Sequence, residues 1–220
     1  NHLASSMAIE RVAVIGAGTM GAGIAQVCAQ AGWKTALFDA FPDGLERGMQ
    51  RIDAFWDKGI ARGKTTAEQK QAWAANLRAE SDMQTAVQDA DLVIEAVPEI
   101  PELKASIFEQ LDAMAPSHAI LGTNTSSLSI ASIANATNRG EKVIGMHFFN
   151  PVPIMELLEL VRHEGTSEET IAMAQAAGEA MKKTTILVKD VPGFATSRLG
   201  VVLGNLSLIH ISEPTRRYSI

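Results

Sequence analysis

At 220 residues and 46% hydrophobic content, the chain is long enough for one large domain or two small ones around an ordinary packed core, which excludes a disordered polymer. A formal net charge of −6 gives no general basic field, so broad nucleic-acid binding is not expected, and a polyanionic ligand would have to meet local positive groups. The single cysteine, Cys28, excludes an internal disulfide, the scattered histidines form no metal-ligand pattern, and no apolar run approaches the roughly 20 residues needed to cross a bilayer; a soluble, cytoplasmic chain without a metal is the expectation.

Residues 1–7 (NHLASSM) have neither a basic leader with an apolar core nor a transit pattern, and read as a cloning scar ahead of a native start at Met7. Arg11–Ile15 (RVAVI) is a short β-branched run that ends in GAGTMGAGIAQVCAQAG, where Met20, Ile24, Val27 and Cys28 recur at helical spacing. Gly32 stands where a helix C-cap is expected, and residues 34–40 (KTALFDA) read as a second buried strand, completing a βαβ unit. From Asp43 to about Glu80 the pattern is helical, with Leu45, Met49, Ile52, Phe55 and Trp56 on one face and a basic turn, GIARGKT, in the middle.

Residues 91–97, 119–124 and 142–148 are further apolar strands, separated by the helical stretches PELKASIFEQLDAMA and SLSIASIANAT. SEETIAMAQAAGEAMKK then reads as an amphipathic helix and TTILVKD as a last strand. Alternating strand and helix predict an α/β, Rossmann-like, doubly wound and mostly parallel sheet over residues 8–192.

The exception to parallel pairing lies in IGMHFFNPVPIMELLEL, residues 144–160. Pro151 and Pro153 lack an N–H and have fixed φ, so the apolar run turns back as an antiparallel hairpin. Pairing about Pro153 sets Glu159 opposite His147, each six positions from the proline. An acid beside a histidine is a candidate catalytic pair.

Gly16-x-Gly18-x-x-Gly21 lies between a predicted strand and helix, and Asp39 ends the next strand 18 residues beyond Gly21. Chemistry asks for glycine three times: Gly16 for the turn, Gly18 for backbone approach to a pyrophosphate, Gly21 for close helix packing. The helix N-terminus, opened by Thr19 and Met20, offers free N–H groups to phosphates. Asp39 can accept hydrogen bonds from a ribose diol and would repel a 2′-phosphate; no arginine immediately follows it, so NAD is favoured over NADP. Beside a nicotinamide, His147 is suited to take the proton of a secondary alcohol while Glu159 fixes its tautomer. A packed core histidine with an exposed strand acid is the alternative.

GAGTMGAGIA, NTSS (124–127), HFFNPVP (147–153) and KDVPGF (189–194), in this order, resemble the L-3-hydroxyacyl-CoA dehydrogenase family, including its 3-hydroxybutyryl-CoA members, from about Ile9 to Gly204. The resemblance implies an oxidoreductase that interconverts L-3-hydroxyacyl-CoA and 3-ketoacyl-CoA with NAD(H). It implies His147 and Glu159 as the catalytic pair, Ser126 and Asn150 at the substrate and nicotinamide, and Glu99, Lys104 and Asn124 near the cofactor. Glu99 and Lys104 also read as a helix-start acid and a solvated lysine, and Ser126 as a helix cap. Lys58, Arg62 and Lys64 in the basic turn are candidates to dock the phosphates of coenzyme A, or else a solvated loop.

Two departures from the family stand out. Ser197 occupies a position where the family often has asparagine; the shorter serine would reach substrate only through water, or not at all. After Gly204 the family continues with a helical domain that closes over the acyl group and forms a homodimer. Here residues 193–204 read as the start of that domain, largely absent, and residues 205–220 as a foreign or disordered tail in which His210 has no role. The alternatives kept open are an NAD-dependent dehydrogenase of a free hydroxy (sugar) acid and a fragment that holds NAD without turnover.

Overall fold

The computed structural model of the chain describes residues 8–190. Ser197, His210 and the stretches 1–7, 193–204 and 205–220 lie outside the described residues. Within them, eight strands form one sheet in the order β3-β2-β1-β4-β5-β6-β7-β8. The strands are β1 (Arg11–Ile15), β2 (Lys34–Phe38), β3 (Leu77–Glu80), β4 (Leu92–Glu95), β5 (Ile120–Thr123), β6 (Val143–Phe148), β7 (Leu157–Arg162) and β8 (Thr184–Lys189). Neighbours are parallel except β6 and β7, which pair antiparallel.

Among the described residues seven α-helices cover the sheet: α1 (Thr19–Gln30), α2 (Pro42–Ala61), α3 (Ala67–Ala74), α4 (Met83–Val87), α5 (Pro101–Met114), α6 (Ile130–Ala134) and α7 (Glu168–Ala180). Because both faces are covered, strand residues alternate between two cores. Val12 and Val14 join Ile24, Cys28, Ile52 and Trp56 on one side, and Ala13 and Ile15 join Phe108, Leu111 and Leu121 on the other. Burial on both faces is why these strands read as unbroken apolar runs.

Two expectations are corrected. The helical pattern does not run to Glu80: α3 ends at Ala74, and Leu77–Glu80 extend beside β2 from Thr35 to Phe38. This edge strand, Leu77–Glu80, is held by backbone pairing, and its four residues are too few for their alternation to stand out after the helical run before it. Asn76 makes the junction, its backbone carbonyl accepting from Thr35 N–H at 2.7 Å and its amide donating to Ala29 O at 3.1 Å. Phe55 does not join the packing face of α2. Leu45, Gly48, Ile52 and Trp56 do, at i, i+3, i+7 and i+11, and Phe55 is 37% exposed one residue off that row.

The turns after β1 and β4 meet at the centre of the sheet. Gly16 has φ +105°, and a Cβ there would lie 2.8 Å from Ala96 O. Only glycine allows both the backbone angle and this approach. Strand order reverses direction at this point, the position where open α/β sheets form a ligand crevice beyond the carboxyl ends of their strands.

Candidate active site

A cleft of about 850 Å³ opens at that crevice, lined at one end by Gly16, Gly18 and Asp39 and at the other by Asn124, Ser126 and His147. Thr19, Met20 and Glu99 line it between. The residues at the first end fit a dinucleotide on several counts. A Cβ on Gly18 would meet nothing within 4 Å, so it would project into the cleft, whereas one on Gly21 would fall 1.7 Å from Gly16 O. No side chain caps the N-terminus of α1, which leaves its first N–H groups for a phosphate. Asp39 accepts from Ala17 N–H at 2.8 Å with one oxygen and from Phe41 N–H at 2.9 Å with the other. Each oxygen keeps a lone pair for a ribose hydroxyl.

At the other end, β6 and β7 pair in the register expected from the prolines, with Glu159 directly opposite His147 and Leu160 opposite Met146. His147 Nδ1 lies 3.4 Å from Glu159 Oε1, with Glu159 wholly buried and His147 9% exposed. That leaves Nε2 as the imidazole nitrogen turned away from the carboxylate. Phe149 packs against the ring at a centroid distance of 4.5 Å. The hairpin turn is seated on α1, where a Cβ on Gly23 would come 2.9 Å from Val152 Cβ. Buried Lys183 pins the same turn by donating to the carbonyls of Val152 and Met155; burial lowers its pKa, opposed by Glu156.

The middle of the cleft rests on a chain of charges. Glu95, at the end of β4, is wholly buried and receives Lys104 Nζ at 2.6 Å, Thr123 Oγ1 at 2.7 Å and Val97 N–H at 2.8 Å. Burial pushes its carboxyl up, against the charge of Lys104 and these hydrogen bonds. Lys104 also reaches Glu99 at 3.3 Å. Glu99 accepts from Ser126 N–H at 3.1 Å, Ser126 Oγ at 3.5 Å and Ser127 Oγ at 3.3 Å. Burial alone would raise the Glu99 carboxyl, but the hydroxyl of Thr125, the charge of Lys104 and the Ser126 N–H hold it below the usual carboxylate range.

Lys104 is therefore not a solvated lysine: it is fully buried and supports Glu99 from behind the cleft instead of lining it. Nor does Ser126 cap a helix, since Ser129 caps α6 by accepting from Ser132 N–H. Asn124 accepts from Phe148 N–H at 2.9 Å, tying the end of β5 to the strand that carries His147.

Comparison with known proteins identifies the family. The family described as 3-hydroxyacyl-CoA dehydrogenase, NAD binding domain, matches residues 11–191. The chain belongs to this family. Its cofactor is accordingly NAD, and the sheet and hairpin are those of the family's solved members. It is 40% identical over 207 residues to the probable 3-hydroxybutyryl-CoA dehydrogenase of Bacillus subtilis, covering 94% of this chain and 72% of that one. It is 37% identical to the mitochondrial hydroxyacyl-coenzyme A dehydrogenase of Sus scrofa, of which it spans 64% while aligning over 89% of its own length. Among solved structures, the (S)-3-hydroxybutyryl-CoA dehydrogenase of Ralstonia eutropha superposes with a TM-score of 0.83 at 37% identity, covering 90% of this chain and 70% of that one. The 3-hydroxybutyryl-CoA dehydrogenase of Escherichia coli gives 0.82 at 39%, covering 85% and 39%.

The other sequence candidates of this 3-hydroxyacyl-CoA dehydrogenase domain fall outside the main cleft. Asn150 lines an adjoining cavity of about 160 Å³ with Thr19, Gln26, Arg51, Phe55 and Pro153. Lys58, Arg62 and Lys64 come together in a groove of about 570 Å³ whose opposite wall is Pro153 and Ile154 at the hairpin tip. Thr19 is shared by the cleft and the small cavity, and Arg51, Phe55 and Pro153 by the small cavity and the basic groove. These shared walls set the cleft, the small cavity and the basic groove side by side. Three residues at these sites escaped the sequence reading. Glu95 lies inside the apolar run 91–97, and Arg47 and Arg51 lie within the helical stretch after Asp43 without a motif to mark them. The signal for the arginines was their i, i+4 spacing beside Gly44 and Gly48 on one helix.

Among the described residues no helix is long and apolar enough to cross a membrane. Cys28 is buried in α1 and burial raises its thiol pKa.

Proposed function

We propose that this chain carries the cofactor and proton-transfer machinery of an enzyme that interconverts L-3-hydroxyacyl-CoA and 3-ketoacyl-CoA. The observation that carries the reading is the 3.4 Å approach of His147 Nδ1 to Glu159 at one end of the cleft that has the glycine turn and Asp39 at its other end. NAD held there supplies the hydride acceptor. The glycine turn and the N-terminus of α1 hold its phosphates, and Asp39 holds a ribose diol.

His147 Nε2 accepts the proton of the substrate hydroxyl as the C–H bond breaks, and returns it in the reductive direction. Glu159 keeps the other ring proton on Nδ1, which leaves Nε2 as the base and steadies the imidazolium that forms. Its burial between two strands prevents water from competing for that hydrogen bond. Ser126, which lines the cleft with His147, orients the reacting oxygen with a hydroxyl that does not ionise in this range, whereas Asn150 borders the adjoining cavity and has no part in this step. Glu99 fixes the Ser126 backbone, and Lys104 fixes Glu99.

The names of the relatives and the basic groove both support a coenzyme A thioester over a free hydroxy acid. Lys58, Arg62 and Lys64 line that groove, and among the described residues none is paired with a carboxylate, which suits the phosphates of coenzyme A. In the assembled enzyme we expect a homodimer. The test mixes the chain with NADH and acetoacetyl-CoA, follows NADH loss and titrates NADH binding in parallel. Turnover supports the thioester reading, turnover with free acetoacetate alone supports a hydroxy-acid dehydrogenase, and binding without turnover supports a cofactor-holding module.

A further inference from the structure

A second cavity, of about 340 Å³, adjoins the glycine turn on the side away from His147, and Gly18, Asp39, Phe41, Arg47 and Arg51 are among its walls. Two close approaches of α2 create it. A Cβ on Gly44 would touch the Asp39 carboxyl at 3.5 Å, and one on Gly48 would lie 2.7 Å from Ala17 O. With glycine at both positions the helix lies directly on the turn and on Asp39. Arg47 and Arg51 each follow one of these glycines by three residues, so they belong to the same helix face. Both side chains are exposed, and among the described residues no carboxylate or carbonyl engages either guanidinium.

The cavity therefore gathers two guanidiniums and one carboxylate around the place assigned to a ribose diol. A diol meets the Asp39 oxygens. A phosphate on that ribose would meet the same carboxylate, which repels it, and two guanidiniums, which match its oxygens in bidentate geometry. An arginine near the acid at the end of β2 is the feature that accommodates a 2′-phosphate in dinucleotide-binding sheets.

We propose that Arg47 and Arg51 form a ready-made site for the 2′-phosphate of NADP, and that Asp39 is the one group that holds the protein to the unphosphorylated dinucleotide. Cofactor choice is then set by a single carboxylate over a positive cavity, not by a missing cation. The proposal rests on the assignment of the cleft to NAD.

The test titrates the full chain with NADH and with NADPH by cofactor fluorescence, for wild type, Asp39→Asn, Arg47→Gln/Arg51→Gln and the triple variant. Asp39→Asn should raise the NADPH-to-NADH affinity ratio about tenfold or more, the worth of one charged hydrogen bond gained or one repulsion removed. The triple variant should return the ratio toward the wild-type value. Asp39→Asn loses one of two backbone hydrogen bonds, so Asp39→Ser is measured beside it; a loosened turn weakens both dinucleotides and leaves the ratio readable. As a check without change at Asp39, 2′,5′-ADP should lose more affinity than ADP in Arg47→Gln/Arg51→Gln.

Failure of the wild-type chain to bind NADH removes the cofactor reading and this proposal with it. NADH binding with a ratio that neither Asp39 variant moves overturns the proposal alone. Equal loss of both dinucleotides on removal of the arginines also overturns it, because that result places them on the pyrophosphate common to the two.

Discussion

The two walls of the site are built on opposite principles. The hairpin wall is dry: His147 and Glu159 stand opposite each other because two strands pair in one register, and Glu159 is wholly buried. The α2 wall is wet: Arg47, Arg51 and Lys58 are exposed along one helix with Arg62 exposed just past its end, and among the described residues none has a carboxylate partner. Groups that must meet within hydrogen-bond reach are set by backbone pairing, where a one-residue slip would turn both to the wrong face. Groups that must meet a flexible, polyanionic ligand can stay mobile and solvated, because charge acts over a longer range than a hydrogen bond.

Substitutions at the dry wall should cost catalysis, and those at the wet wall recognition. The largest effect is expected for His147→Ala, with kcat down by about 10²- to 10⁴-fold and NADH affinity changed little, because the base acts in the transition state. Stopped-flow rates with equilibrium NADH titration check this; a parallel loss of NADH affinity would show that the histidine holds cofactor instead.

Lys104→Met comes next. It strands two carboxylates, Glu95 with no exposure and Glu99 beside it, and should destabilise the chain by about 3–5 kcal/mol, read by urea unfolding. A loss under about 1 kcal/mol would mean that the pair relaxes or protonates without penalty.

Arg62→Glu, on the wet wall, should raise KM for acetoacetyl-CoA about three- to tenfold with kcat retained, and the difference should shrink as salt is added. A salt-independent effect would point to distortion of the turn.

The smallest effect concerns acid. The Glu99 carboxyl sits below the usual carboxylate range, so its contribution to the Ser126 loop is fully present above the ordinary pKa of a glutamate and is lost as pH falls through the depressed value. NADH affinity of the wild type should fall over that acid window, whereas Glu99→Gln should start weaker and lack this component. Identical pH profiles would remove Glu99 from the loop's support.

Much of this was legible from local pattern. Gly16, Gly18 and Gly21 between a β-branched run and a helical one, with Asp39 after the next strand, specify a turn whose geometry depends on few neighbours. The hairpin was legible for the same reason: two prolines define the turn, and the two-residue period of a strand carries the register out to His147 and Glu159. Where the pattern was silent, long-range packing decided. Leu77–Glu80 became an edge strand because β2 offered unpaired backbone groups. Phe55 left the packing face because Leu45, Ile52 and Trp56 define its centre.

By itself the sequence determined the order of strands and helices, the phosphate-facing turn, and the pairing of imidazole with carboxylate, all of which depend on residues near one another along the chain or tied by a tight turn. Only the tertiary structure decided that Lys104 turns inward to Glu95 and Glu99, that the basic turn faces the hairpin tip, and that Arg47 and Arg51 share a cavity with Asp39. Those meetings depend on how closely α2 and α5 settle on the sheet, a distance set by packing among residues far apart in sequence, which no local periodicity encodes.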